Sequence, residues 1–416
     1  MKQRRVVITG IGLISPIGIG LDSYFINLKS GKSGIVNIEN IMLLNNCPVK
    51  LGGRVFGFDP LAYMSQKAAR RMDRFAQFSV AATKMAFDDA GIRLIKNEKI
   101  AENIGVFLGT AVGGFPYGEE QHKQYLQKGL RRVDPLLSSR VFYGCGSNQV
   151  CIELGLKGIS NSITSGCAAS LDAIGSAYEL IKENKTDIFV CGGADAPFAP
   201  LTFSSFYLVG VMSTKLEHTP SPFDATRDGI VISEGAGILV LEEREHALSR
   251  EARIYAEVVG YGTTHDAYHV TQPAPDGLQI SRAINLALKD ANIDESQIDH
   301  IVAHGCATKL SDKLETQILK KVFGEHIKNI SISGIESMIG HPLGAVGVLK
   351  AISGILTLKH STIFPTINYK ISDPHCDLDY VINKSRQKKV LYVMVNAFSF
   401  GGKNSILIMK KHSDDN

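Results

Sequence analysis

Residues 161–181 read NSITSGCAASLDAIGSAYELI, and residues 329–352 read NISISGIESMIGHPLGAVGVLKAI. Each opens with a short strand-like segment and breaks at a glycine. Each then enters a helical run. In the first, Leu171, Ile174, Tyr178 and Ile181 recur at spacings of 3, 4 and 3, which puts an apolar stripe on one helix face. The segment DIFVCGGAD (187–195) follows as a buried strand. Strand, helix and strand predict a parallel pair with a right-handed crossover. The echo extends upstream, where KMAFDDAGI before IGVFLGTA resembles NLALKDANI before IDHIVAHGCA. Both pairs occur in the same order, which predicts two similar α/β halves, 1–250 and 251–416, joined near residues 245–255.

The rest of the chain fits that frame. With 416 residues and 44% hydrophobic composition it can bury a large core, and its 40 glycines suit tight turns and close packing. A net charge of +4 does not suggest a nucleic-acid binder. The seven cysteines are odd in number and contain no CxxC pair, which argues against a disulfide or zinc framework and for a reducing cytoplasm. At the N-terminus, basic residues precede VVITGIGLISPIG, but the glycines and Pro16 read as a buried strand and turn rather than a signal peptide. No apolar run approaches the ~18 residues of a membrane span. Gly10-x-Gly12 hints at a dinucleotide fold, yet Ser15 stands at the third glycine position. Residues 74–90 predict a helix stopped by Gly91, and 103–111 a buried strand.

Three side chains carry chemistry. Cys167 follows a glycine where a turn becomes a helix, and unpaired N–H groups together with the helix dipole favour thiolate there. His304 ends the strand HIVAHG, and His341 precedes Pro342 at a helix start in the unit that mirrors the Cys167 unit. A buried cysteine or a strand-end histidine is commonly structural, but a pseudo-twofold would make the two helix starts face each other. A thiol with two imidazoles suits hydrolysis, with His as general base. It equally suits carbon–carbon bond formation, with N–H groups on an enolate oxygen.

The ordered motifs VVITGIGLISPIG, SGCAASLDAIG, PFDATRDGIVISEGAGILVLEEREHA, DAYHVTQPAPDG, VAHGCATKLSD, SMIGHPLGAVG and NAFSFGGKN resemble those of the β-ketoacyl-acyl-carrier-protein synthases of the thiolase superfamily along nearly the whole chain. SGCAASLDAIGSA and SDPHCDLDYV resemble most the ketosynthase (KSα) subunit of aromatic type II polyketide systems. The resemblance implies a layered αβαβα thiolase fold and decarboxylative condensation of a malonyl unit with a cysteine-bound acyl chain. Cys167 would accept the acyl group, and His304 and His341 would assist decarboxylation. The oxyanion hole would be the N–H groups of Cys167 and Phe400. Phe398 and Phe400 would gate the acyl pocket, Val112 would line it and Thr308 would contact pantetheine. It also implies no metal and no cofactor beyond the phosphopantetheine of an acyl carrier protein, which would dock on Lys67, Arg70 and Arg71. The charged stretches QKAARRMDRF and HKQYLQKGLRR are candidate carrier faces, with Arg74 predicted on the same helical face as Lys67, Arg70 and Arg71. A homodimer or a heterodimer with a chain-length-factor-like paralogue follows from the same resemblance.

The chain departs from the family pattern at Glu336, where a lysine is usual, and at Ser399, where a glycine is usual. The family lysine pairs with an acid that the resemblance places at Glu315. Two neighbouring buried carboxylates would then share a proton, or one would turn to another partner such as Lys309 or Lys313, and Glu336→Gln is expected to stabilise the fold if two unpaired charges sit there. The resemblance leaves a fatty-acid-elongating ketosynthase as an alternative, and Glu336 keeps open a non-elongating acyltransferase or malonyl decarboxylase, or a non-catalytic subunit.

Overall fold

The structure is a computed structural model that describes residues 4–42, 44, 46–93 and 98–413. The elements that position the site alternate along the chain: β1 (Val6–Ser15), α1 (Arg74–Ala90), β2 (Ile104–Gly109), β3 (Ser160–Ile163), α2 (Ala169–Lys182), β4 (Ile188–Asp195) and β5 (Gly235–Glu243). The second half repeats the order with β6 (Ala256–His265), α3 (Leu278–Ala291), β7 (His300–Val302), α4 (Lys309–Phe323), β8 (Ser331–Ser333), α5 (Val346–His360), β9 (Tyr392–Ser399) and β10 (Lys403–Lys411).

The strand order makes the repeat visible. The first half runs β1-β5-β4-β2-β3 and the second β6-β10-β9-β7-β8, with the same antiparallel and parallel pairings in each. The halves join where Val6–Ile8 of β1 pairs with Ala256–Val258 of β6. Between β5 and β6 lies only the short helix Arg244–Ser249 and a connection. The expected β3–α2–β4 crossover is parallel, but the two strands are not neighbours, since β2 lies between them. A helix about 10 Å across covers two inter-strand spacings of roughly 4.8 Å, so skipping one strand lets it sit flat on the sheet.

Packing explains the glycines that hinted at a dinucleotide site. A Cβ on Gly12 would lie 1.9 Å from the Ala82 carbonyl oxygen of α1, and one on Gly262 would lie 2.2 Å from that of Ala283 on α3. These matched glycines let an outer helix lie directly on the first strand of each half. α1 is capped by Asp73 and ends at left-handed Gly91, as the sequence predicts.

α2 and α5 form a middle layer. Their core draws on both sheet halves, including Ile8, Leu239, Val258 and Leu407. Outside the first half, Phe75 and Phe78 of α1 cover Val106, Val190 and Val240. Outside the second, Ile280 and Ile284 of α3 with Leu314 and Ile318 of α4 cover Ile301 and Ile408. Each fully buried Ile, Leu or Phe contributes about 1.5–3 kcal/mol of transfer free energy, and this sandwich fixes where the helix starts point. Leu343–His360 is long and apolar enough to cross a membrane by composition, but 89% of it is buried in the protein. It is a core helix, apolar on every face because every face is covered.

Candidate active site

Cys167 sits in the turn Gly166–Ala168 that leads into α2, and His341 precedes the matching turn Leu343–Ala345 that leads into α5. Gly166 adopts φ +62, a conformation that a side chain would strain. α2 and α5 meet at their N-terminal ends, where the Ser170 hydroxyl accepts from Val348 N–H at 3.0 Å. The symmetry thus brings the two starts together, and His341 Nε2 lies 3.0 Å from Cys167 Sγ. His304 follows β7, and its ring centroid is 6.1 Å from that of His341 at an interplanar angle of 86°.

All three line one cavity of about 460 Å³ with Cys306, Thr308, Phe398, Ser399 and Phe400. The cavity runs from the buried histidines to exposed Lys309, Gln272 and Phe400 at its rim. The Phe400 ring stacks on Phe206 with centroids 6.0 Å apart, while buried Phe398 packs 5.2 Å from His304. Thr308 faces the cavity and caps α4 by accepting from Ser311 N–H. Val112 lies elsewhere, in a second cavity with Phe115, His122 and Leu201.

The two histidines differ in surroundings. His304 Nδ1 accepts a long 3.5 Å contact from Phe398 N–H, which leaves the ring proton on Nε2. Burial first, and the Lys350 ammonium second, push its pKa well below the ordinary imidazole range, so it is neutral. His341 Nδ1 is 2.7 Å from Glu336 Oε2. Burial pushes the His341 imidazolium down, but the Glu336 charge and Cys167 outweigh it and raise the pKa. Burial likewise disfavours the Glu336 carboxylate, yet His341 and Lys350 hold its pKa below the ordinary range.

Lys350 corrects the expectation of a shared proton between Glu315 and Glu336. Its Nζ is 2.5 Å from Glu336 Oε1, an ionic contact rather than a directed hydrogen bond, and donates to the His304 carbonyl at 2.5 Å. Glu315 is engaged elsewhere. It accepts from His304 N–H at 2.8 Å, Gly305 N–H at 2.9 Å and Asn396 Nδ2 at 2.9 Å. The partner of residue 336 is thus not Glu315 on α4 but a lysine on α5. Glu336→Gln therefore removes the partner of a buried ammonium and is destabilising, the reverse of the sequence expectation. The signal lay in GVLKAI, a charge in the middle of an apolar run, because such a charge needs a buried partner.

Ser399 supplies a second departure. Its hydroxyl accepts from the backbone N–H of Cys167 at 2.9 Å, the donor assigned to the oxyanion hole. A thioester oxygen bound at that N–H would have to displace the hydroxyl. Ser399→Gly is expected to speed acylation of Cys167 by roughly 2–10-fold, the worth of one neutral hydrogen bond. Timed mass spectrometry of the acyl adduct checks this, and unchanged rates would remove Ser399 from the hole.

The predicted carrier face is partly redrawn. Lys67, Arg70 and Arg71 are exposed around the short helix Gln66–Ala69. Arg74 does not share their face. It begins α1 and pairs inward with Glu234 at 2.8 Å, because a fully buried carboxylate draws the guanidinium in.

Known proteins match this chain in fold and in sequence. Solved structures superpose along the whole chain: the ishigamide ketosynthase/chain length factor (TM-score 0.92, 36% identity, covering 99% of this chain and 100% of that one) and a type II polyketide ketosynthase solved with its acyl carrier protein (TM-score 0.90, 32% identity, 99% and 100%). The fold is the thiolase fold of the ketosynthases. The family models for the beta-ketoacyl synthase N-terminal domain and C-terminal domain match residues 3–247 and 255–370. The 3-oxoacyl-[acyl-carrier-protein] synthase 2 of Synechocystis sp. is 40% identical over 415 residues, covering 99% of both chains, and that of Staphylococcus aureus is 40% identical over 412 residues, also covering 99% of both. The chain belongs to the β-ketoacyl synthase family, an enzyme of the acyltransferase type.

Proposed function

We propose that this chain joins a malonyl unit, delivered as a carrier-protein thioester, to an acyl chain held on Cys167, as the ketosynthase subunit of a type II polyketide synthase. The observation that carries the reading is the 3.0 Å approach of His341 Nε2 to Cys167 Sγ beside neutral His304. In the first half-reaction the thiol proton passes to His341, sulfur attacks the thioester carbonyl, and the tetrahedral oxyanion sits against the N–H groups of Cys167 and Phe400. Collapse expels the pantetheine thiolate, which takes the proton back. In the second, malonyl loses CO₂, and the enolate oxygen accepts from the Nε2–H of His304, while His341 keeps its proton on Nδ1 against Glu336. The enolate carbon attacks the acyl carbonyl, the C–S bond breaks, and Cys167 leaves.

The phosphopantetheine belongs to the carrier, and no further cofactor enters these steps. Unpaired cysteines at all seven positions suit a reducing cytoplasm. A second copy or a chain-length-factor-like paralogue would pair on β3, the outer strand of the first half, beside exposed Ile152 and Ile159. Fatty-acid elongation is the second reading, favoured by the 40% identity to the 3-oxoacyl-[acyl-carrier-protein] synthases 2. The buried Lys350–Glu336 pair weakens the case for a non-elongating enzyme, since the charge missing at 336 is supplied by α5.

The test is product analysis with acyl- and malonyl-carrier, with and without a paralogous subunit. A polyketide of several unreduced units that requires the paralogue supports the polyketide reading. One condensation per cycle by the chain alone supports fatty-acid elongation, and CO₂ without a new carbon–carbon bond contradicts both. Arg70→Glu with Arg71→Glu is expected to weaken carrier binding about tenfold or more at low salt and less at high salt. Titration calorimetry at two ionic strengths checks it, and unchanged affinity removes this face.

A further inference from the structure

We propose that Glu336 is a positioning residue that completes a carboxylate–imidazole–thiol relay with His341 and Cys167, so that the thiol is prepared for acylation before any substrate binds. The two oxygens of Glu336 face different cations. Oε1 meets Lys350 Nζ at 2.5 Å, and Oε2 meets His341 Nδ1 at 2.7 Å. A purely structural ion pair requires only the first contact. The second fixes the imidazole, because a buried carboxylate beside Nδ1 keeps the proton there and turns Nε2 toward the sulfur. His341 and Glu336 are 3% and 1% exposed, so water does not compete for either contact.

The carboxylate at position 336, beside both His341 and Lys350, is what creates the relay. An ammonium at position 336 could not accept from Nδ1–H and would repel an imidazolium, whereas a carboxylate does the opposite. The proton step balances within the trio. The S–H bond breaks, its electron pair stays on sulfur, the proton forms the Nε2–H bond, and Nδ1–H remains on the carboxylate. Other groups face the trio: Lys350 from α5, His304 and Cys306 from the loop after β7, and Asp312 and Glu315 from α4. Lys350 is a fixed positive charge bound to Glu336 itself, and His304 is neutral. Glu315 is held by three hydrogen bonds, and Asp312 faces Arg227 with its nearest atoms 3.5 Å apart.

The inference rests on Cys167 being the acyl acceptor, but its test reads the free thiol with no carrier present, so failure of the relay and failure of the condensing role are separate results. The rate of Cys167 alkylation by iodoacetamide is followed by peptide-resolved mass spectrometry from about pH 5 to about pH 9. The wild-type chain is expected to react at a rate that varies little with pH. E336Q is expected to react about tenfold more slowly near neutrality, with a steep rise toward alkaline pH. The double exchange E336K/K350E keeps a buried ion pair but removes the acid from Nδ1. It should melt close to the wild-type temperature and still show the steep profile. A wild-type alkylation profile in E336Q or in the double variant would overturn the relay. Should neither variant fold, ¹⁵N-histidine spectra of the wild-type chain decide. A downfield Nδ1–H proton on His341, assigned by its loss in H341N, is expected, and an unprotonated Nδ1 would overturn the proposal.

Discussion

Replacing His304 with Ala is expected to leave acylation of Cys167 within a few-fold of wild type while slowing condensation by roughly 10²–10³, the usual cost of one oxyanion donor. The asymmetry follows from the site. His341, not His304, faces the sulfur at 3.0 Å. His304 is turned by Phe398 N–H and held by Glu315 through its backbone, so its Nε2–H is free to point into the cavity. Burial and the Lys350 charge keep it neutral, which preserves a donor without placing a cation where the malonyl carboxylate must depart. Single-turnover mass spectrometry separates the two half-reactions. Equal losses in both would assign His304 to thiol chemistry instead.

The second large effect concerns stability. Lys350→Ala should destabilise the protein by about 3–5 kcal/mol, the cost of stranding one member of a buried pair. Lys350 and Glu336 are 0% and 1% exposed, so Glu336 would keep only His341 as a partner. Lys350→Glu should be worse, with two buried acids, and adding Glu336→Lys should recover most of the loss by rebuilding the pair. Urea midpoints of these three variants and of Glu336→Lys alone read this directly. Independent, additive effects of the two substitutions would show that the charges do not depend on each other.

Much of this was legible in the sequence because it is periodic and local. The echo of 161–181 in 329–352 placed Cys167 and His341 at equivalent helix starts, and a pseudo-twofold turns equivalence into proximity. The helix 74–90 was readable from its stripe and from Gly91. What escaped notice depends on partners distant in the chain. Lys350 is hidden in an apolar run, and only the fold shows that Glu336 is the carboxylate it meets. Arg74 looks like part of a basic surface until Glu234, from another segment, turns it inward. Ser399 reads only as a serine in place of a usual glycine, and the fold alone brings its hydroxyl to the Cys167 amide. The β3–α2–β4 unit predicts neighbouring strands because sequence order does not show that β2 enters between them.

The most direct measurement charges the purified chain with an acyl-carrier thioester, maps the adduct by peptide mass spectrometry, and then adds malonyl-carrier. The acyl mass should appear on Cys167 and leave it in step with one CO₂ and one β-ketoacyl-carrier per chain. An adduct on any other residue, or CO₂ released while the acyl group stays on Cys167, would contradict a condensing site built from Cys167, His304 and His341.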